Sequence, residues 1–309
     1  MNYAHTPWSN LFNLLPAHVT RGQQTPEFDH QFYRLVHEDM RDWSAGELED
    51  HFKHHGIREG RIGSACAHRL GFIASFPEQG SFLEIGPFTK PALSGRNVKY
   101  FDVLDKQKLL ERAEAVGYPT TSCPDIDFVS ATGDMGIIDE QFDYVFSSHC
   151  IEHQPDLITH LKEVGRILKD NGKYFLIVPD KRYCFDFPLP ASSLDKVIRA
   201  FDEKRKVHTL QSIIEHYAMT THSDALRHWQ GDHEDANLAS RFDRVGAAIE
   251  ALNLSQSGYV DVHSWQFTPE SFRRLISELE ACEYIGLSVS RVYETVWGQY
   301  EFCAVLAKN

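Results

Sequence analysis

Between residues 80 and 180 the chain carries five short apolar runs, each bounded by turn residues: SFLEIG (81–86), VKYFDV (98–103), IDFVSA (126–131), FDYVFSS (142–148) and KYFLIVP (173–179). Each is apolar on both faces, as a strand covered by helices on two sides must be. A helical pattern or a loop follows each run, which is the alternation of an α/β fold with a parallel sheet. Between the fourth and fifth runs Ile158, Leu161, Val164, Ile167 and Leu168 form one helical face, and Asn171-Gly172 supplies the stop. That pattern predicts a crossover helix. Thr268-Pro269-Glu270 reads as an N-cap followed by proline at the first helical position, opening a helix through Leu279. Two β-like runs, Ile285 to Tyr293 and Tyr300 to Leu306, close the chain.

Other segments break this pattern. From Phe28 to Phe76 the apolar spacing is helical, interrupted by the glycine-marked HHGIREGRIG and preceded by an irregular start. From Lys181 to His263 the sheet pattern lapses, with helical stretches near Ser193–Met219 and Asn237–Leu252. The 309 residues would suit two average domains. The pattern instead describes one sheet domain, 78–180 with 264–309, carrying an N-terminal helical extension (1–77) and a helical insertion (181–263).

Lys and Arg number 31 against 44 Asp and Glu, a formal charge of −13. This argues against a broad phosphate-binding surface, so nucleic acid is not an expected partner. The opening MNYAHTPWSNLFNLLPAHV lacks the charged start and apolar run of a signal peptide, and nowhere do 18 apolar residues run together. The expectation is a cytoplasmic protein with no transmembrane segment. A homo-oligomer is compatible with this composition. The six cysteines form no CxxC pair and suit reduced thiols in a core.

In an open parallel α/β sheet, ligands sit at the carboxyl ends of the strands, where the strand order reverses. The residues there are Glu84-Ile85-Gly86-Pro87 after the first run, Asp102 near the end of the second, and Gly133-Asp134 past the third. EIGPFTKP is not GxGxxG, so a pyrophosphate-bearing dinucleotide fits poorly. An adenosine ligand without phosphates fits better. A carboxylate 18 residues after Glu84 can accept the ribose hydroxyls, a third can reach the adenine edge, and three acids would welcome a sulfonium. Asp105 is the alternative to Asp102, and a turn cap is the alternative role for Asp134.

FLEIGP, FDYVFSSHCIEHQPDLITHLKEVGRILKDNGKYFLIVPD and FTPESFRRLISELE together resemble the class I S-adenosylmethionine-dependent methyltransferases, over roughly 78–180 and 264–307. VKYFDVLD, SSHCIEHQPDLI, VPDKRYCFDF and VDVHSWQFTPESF resemble a narrower group associated with bacterial polysaccharide and glycan biosynthesis. The resemblance implies a doubly wound, seven-stranded, mostly parallel Rossmann-like sheet whose last strand runs antiparallel. It also implies S-adenosyl-L-methionine as cofactor. It places Glu84 and Gly86 in the first cofactor motif, with Ile85, Pro87 and Phe88 beside them, Asp102 as the ribose acid, Asp134 with Met135 near the adenine, and Ser148 at the end of the fourth strand.

Methyl transfer is an in-line displacement, so the enzyme positions the acceptor and removes its proton where that acceptor is a hydroxyl or ammonium. His149 follows the fourth run, and histidine as a residue type exchanges its proton near neutral pH, which makes this position the leading general-base candidate. The alternative is that it only lines the cofactor pocket. His153 is expected to be structural. Asp180, Lys181, Arg182 and Tyr183 follow the fifth run, where the two cations can hold a phosphate or carboxylate of the acceptor or else pair within the connection. His222, His228, His233 and His263 stand among Asp224, Asp232 and Asp261, and His222 and His263 are further candidates for the base. The spacing of this cluster puts no ligand set on one helical turn except His228-x3-Asp232, so no metal is expected. Trp229 and Trp265 offer faces for a sugar ring, or belong to the core. The resemblance to the glycan-biosynthesis group implies O-methylation of a sugar, sugar nucleotide or glycan end. The alternatives are a methyltransferase for another small metabolite and a catalytically silent cofactor-binding module on the same fold.

Overall fold

The computed structural model describes residues 15–234, 241–255 and 260–309. Seven strands form one sheet: β1 (Phe82–Ile85), β2 (Val98–Asp102), β3 (Phe128–Val129), β4 (Phe142–Ser148), β5 (Leu168–Pro179), β6 (Leu287–Val292) and β7 (Glu301–Lys308), in the order β3-β2-β1-β4-β5-β7-β6. β1 to β5 pair in parallel, and β7 lies antiparallel between β5 and β6. This is the doubly wound, seven-stranded, mostly parallel Rossmann-like sheet that the resemblance implied.

Two boundaries differ from the expected ones. The third run keeps only Phe128–Val129 as strand, because it is an edge whose single neighbour is β2. The crossover helix spans Leu157–Ile167 and stops one residue before Leu168, which opens β5 and pairs with Phe142. Asn171 in the left-handed region (φ 61°) turns the chain there, and the β4–β5 register shifts between Phe142 and Tyr144.

The crossover helix is capped by Asp156, whose carboxylate accepts from the Thr159 amide. It buries Leu157, Ile158, Leu161, Val164 and Ile167 against the sheet, each contributing roughly 1.5–3 kcal/mol before entropy is counted. The helices Leu194–Asp202 and Pro269–Ala281 share that face, the latter with the expected Thr268 cap. The N-terminal segment covers the opposite face, where Phe32, Phe72 and Phe76 pack on Phe146, Phe175 and Val305.

In the insertion, the first helical stretch divides into Leu194–Asp202 and Leu210–Ala218 around Lys204 (φ 50°), with Thr209 capping the second piece. The second stretch is described as Arg241–Ser255, and Asn237 to Ser240 lie outside the described residues. Ile213, Ala248, Ala251, Val260 and Val262 form a small core of their own. All six cysteines are free. No helix among the described residues is long and apolar enough to cross a membrane.

Candidate active site

Strand order reverses between β1 and β4, and a cavity of about 740 Å³ opens at their carboxyl ends. Ile85 and Gly86 enter it from β1, Asp102 from β2, Thr132 and Gly133 from the turn after β3, and Ser148 and His149 from the end of β4. The insertion closes the other side with Lys206, His208, Val260 and Asp261.

Two glycines give the cavity its room. Gly86 (φ 68°) and Gly133 (φ 70°) adopt a conformation that costs other residues energy. A Cβ on either would meet no atom closer than 3.8 Å, so both backbones face open space in which a ligand can approach. Phe88 (φ 49°) turns the loop after β1 and sets its ring edge-on to Tyr118 at the cavity wall.

Of the three acids assigned to the cofactor, Asp102 alone borders the cavity. It is buried and accepts from the Leu104 amide at 3.1 Å, and burial pushes its carboxyl up to about 6. Asp105 instead caps the helix Lys106–Val116 by accepting from the Lys108 amide. Glu84 points away into the loop it organises, where its two oxygens accept from the amides of Ala92 and Leu93 at 2.8 and 2.9 Å. Burial raises its carboxyl to about 7. Asp134 is exposed and caps a short turn through the Gly136 amide, Met135 sits in the core, and Pro87 is buried without bordering the cavity.

His149 sits at the junction of β4 and the following turn with φ 51°, a strained backbone for a side chain of its size. Its amide donates to the Ile177 carbonyl, and its Nε2 lies 2.7 Å from Glu301 Oε2. Arg69 holds the same carboxylate from the other side through Nε (2.8 Å) and Nη2 (2.7 Å), and also donates to the Ser148 hydroxyl. Burial alone would raise the Glu301 carboxyl, but His149 and Arg69 outweigh it and hold it down to about 2. An ionised Glu301 accepts from His149 Nε2 and so assigns the imidazole proton to that nitrogen. The Nδ1 lone pair remains, 3.6 Å from Glu152 Oε1, on a ring that borders the cavity.

His153 also borders the cavity. Its Nδ1 lies 3.0 Å from Asp261 Oδ1, and Arg112 donates to Asp261 Oδ2 at 2.6 Å. Burial would raise Asp261, yet His153 and Arg112 hold it well below the carboxylate range. His208 lines the same wall, with Nδ1 2.8 Å from the Ser264 hydroxyl, and burial lowers it to about 4.

The residues expected to bind substrate gather elsewhere. Asp180 is fully buried and forks onto Arg182, with Thr295 donating to it at 2.7 Å. Arg182 lies over the Tyr183 ring, and Tyr183 stacks on Trp229 at 3.7 Å, while the Trp229 indole donates to the Gln299 carbonyl. Lys181 donates to the Phe187 carbonyl. These contacts tie the insertion to the sheet, and Asp180, Lys181, Arg182, Tyr183 and Trp229 all lie off the cavity lining. Trp265 is buried in the main core and donates to the Gln154 carbonyl, which leaves no face for a sugar. His222 stacks on His228 in the insertion, away from the cavity. His263 stands just behind the cavity wall, with its ring edge-on to His153 at 4.6 Å.

The sequence reading did not single out Glu301, Arg69, Glu152 or Arg112. Arg69 and Glu301 are 232 positions apart, and only the antiparallel insertion of β7 beside β5 brings Glu301 to the carboxyl edge. The CIEH segment was visible, but nothing in its spacing showed that Asp261 would meet it.

Residues 86–176 match the family model of the methyltransferase domain. No curated protein matches the chain. Among solved structures it is similar to magnesium protoporphyrin IX methyltransferase from Synechocystis PCC 6803 with bound SAH, at 9% identity and TM-score 0.33, covering 74% of each chain. It is also similar to a SAM-dependent methyltransferase from Methanosarcina mazei, at 16% identity and TM-score 0.36, over 75% of this chain and 94% of that one. The CurJ carbon methyltransferase gives 11% identity and TM-score 0.35, over 78% and 52%. At these scores the structural likenesses add nothing to the argument, which rests on the matched domain. From Gly86 at the end of β1 to Leu176 within β5, the chain carries a class I S-adenosylmethionine-dependent methyltransferase domain, and its chemistry is methyl transfer from that cofactor.

Proposed function

We propose that the chain O-methylates a hydroxyl of a sugar, sugar nucleotide or glycan end, with His149 as general base. The observation that carries this reading is the Arg69–Glu301–His149 chain at the end of β4. A sugar hydroxyl is a weak nucleophile until its proton leaves, and an imidazole with one nitrogen anchored by an ionised carboxylate is suited to take that proton on the other. S-adenosylmethionine supplies a methyl group on a positively charged sulfur. Gly86, Gly133 and Asp102 fit it: two open backbones and a buried carboxylate at the strand ends suit a ribose and an adenosine.

In the transfer, His149 Nδ1 accepts the hydroxyl proton as the oxygen bonds to the methyl carbon. The bound cofactor would supply that methyl and retain the electron pair of the carbon–sulfur bond on its sulfur. The insertion, 181–263, supplies the acceptor side of the cavity through Lys206, His208, Val260 and Asp261, and the sheet domain, 78–180 with 264–309, supplies the cofactor side. The sugar class is favoured by the phrases VPDKRYCFDF and VDVHSWQFTPESF and by the polar wall of Arg112, Lys206 and Asp261.

The test is a methyl-labelled donor offered with a panel of activated sugars and oligosaccharides beside small amines and acids. Label on the sugars is expected, with kcat for His149→Ala reduced by ~10²–10⁴. Label confined to amines or acids, or a variant with near-normal turnover and an unchanged pH profile, would overturn the proposal.

A further inference from the structure

Glu152 is completely buried, yet neither of its carboxylate oxygens has a hydrogen-bond partner. A charge in that position is strongly disfavoured unless an opposite charge compensates it. Its Oε1 faces His153 Nε2 at 3.6 Å and His263 Nε2 at 3.9 Å. These separations are too long for hydrogen bonds. They are close to the roughly 3.4 Å between two atoms that share a tetrahedral ion at about 2.1 Å. The ligand atoms of Glu152, His153 and His263 all lie within 4.8 Å of one another.

The far side of each ring shows what the near side must be. His153 Nδ1 lies 3.0 Å from Asp261 Oδ1, and His263 Nδ1 lies 2.6 Å from Asp186 Oδ2. The Asp186 carboxylate holds a proton on His263 Nδ1 and leaves that ring's Nε2 lone pair directed at Glu152, whereas His153 Nδ1 lies against Asp261 without a hydrogen bond. A lone pair on His263 Nε2 and a buried carboxylate that face each other repel unless a positive centre lies between them. Carboxylates that orient histidines in this way are the usual outer support of a metal site. The second histidine cluster is built differently. His222 Nε2 meets the Asp232 carbonyl and His228 Nε2 the His222 carbonyl, while the Nδ1 atoms of His228 and His233 meet each other.

We propose that Glu152, His153 and His263 bind a divalent first-row transition-metal ion. Two imidazoles and one carboxylate suit Zn²⁺, Co²⁺ or Fe²⁺ better than Mg²⁺ or Ca²⁺, which favour all-oxygen sets. Three protein ligands leave coordination positions open. His153 borders the cavity, so an open position faces the acceptor. Its role there rests on the O-methylation proposed above: the acceptor hydroxyl binds the ion, is acidified by it, and passes its proton to His149 Nδ1, which lies 3.6 Å from Glu152 Oε1.

The experiment titrates the chelator-treated full chain with Co²⁺, Zn²⁺ and Mg²⁺ by calorimetry, and follows Co²⁺ by its visible absorption. Expected are one equivalent of Co²⁺ or Zn²⁺ per chain with Kd of about 1 µM or tighter, and no comparable uptake of Mg²⁺. Glu152→Gln, which preserves shape, should weaken binding by at least about 100-fold, and Asp186→Asn, which only frees the His263 ring, by ~10–100-fold. His222→Ala should bind as the parent does. Uptake below about one tenth of an equivalent by the parent chain, or parent-like binding by Glu152→Gln, overturns the site. The two proposals fail separately. Stoichiometric metal uptake without labelled sugar removes the sugar reading and leaves the site, whereas sugar methylation by a chain that takes up no metal removes the site alone.

Discussion

Replacing Glu301 with glutamine tests whether the chain Arg69–Glu301–His149 is the ionised, buried arrangement described here. The carboxylate is 7% exposed, accepts from Arg69 through both oxygens, and meets His149 at 2.7 Å. The amide keeps one acceptor oxygen and turns an NH₂ toward either Arg69 or His149, leaving one donor facing another donor. The carboxyl is held at about 2 against an ordinary 4.5. That difference corresponds to roughly 3 kcal/mol at pH 7, of the order expected for breaking a buried pair by removing one partner. Because the folded-state value lies below the unfolded one, this stability is present above about pH 4.5 and is lost as pH falls toward 2. By pH 3.5 the contribution has dropped to roughly 2 kcal/mol.

With an unfolding entropy of ~0.65 kcal/mol/K for a chain of this length, Tm of Glu301→Gln should fall by about 5 °C at pH 7. The gap should narrow progressively toward pH 3.5. Thermal unfolding of parent and variant across this range is the assay. A Tm difference under about 1 °C at pH 7, or one that stays constant with acidification, would refute the reasoning.

Two further substitutions probe the cofactor side. Gly86→Ala should fold, because the added methyl meets nothing closer than Cys150 Sγ at 3.8 Å, but its φ of 68° costs ~1–2 kcal/mol and the methyl enters the cavity. Calorimetry with S-adenosylhomocysteine should show ~10-fold weaker binding, and equal affinity would mean the backbone there does not face the ligand. Asp102→Asn should weaken the same ligand by ~10–100-fold, the range for hydrogen bonds to a charged acceptor. Since burial lifts Asp102 to about 6, the parent's affinity should fall as pH drops from 7.5 to 5.5 while the variant's stays flat. A flat parent profile counts against Asp102 as the ribose acid.

The sequence by itself determined the sheet. Local patterning was enough, because each strand is a short run with both faces apolar, and because the Asp156 and Thr268 caps and the apolar stripe of Leu157–Ile167 announce their helices independently of anything distant. It also placed Gly86, Asp102 and His149 at strand ends, which in a parallel sheet is enough to put them at one edge. It overstated the acids, because a carboxylate's direction depends on which amides lie nearest. Glu84 turned to Ala92 and Leu93, and Asp134 to Gly136.

Only the tertiary structure decided how the histidines are used. Glu152 meets His263, His153 meets Asp261, and His263 meets Asp186 because the insertion returns to the sheet between Val260 and Phe267. Glu301 reaches His149 because β7 runs antiparallel beside β5 and so begins where β5 ends. Pairings of this kind reflect long-range closure of the chain. No local period encodes them, since the free energy that brings the partners together is spread over the buried core rather than carried by the residues that meet.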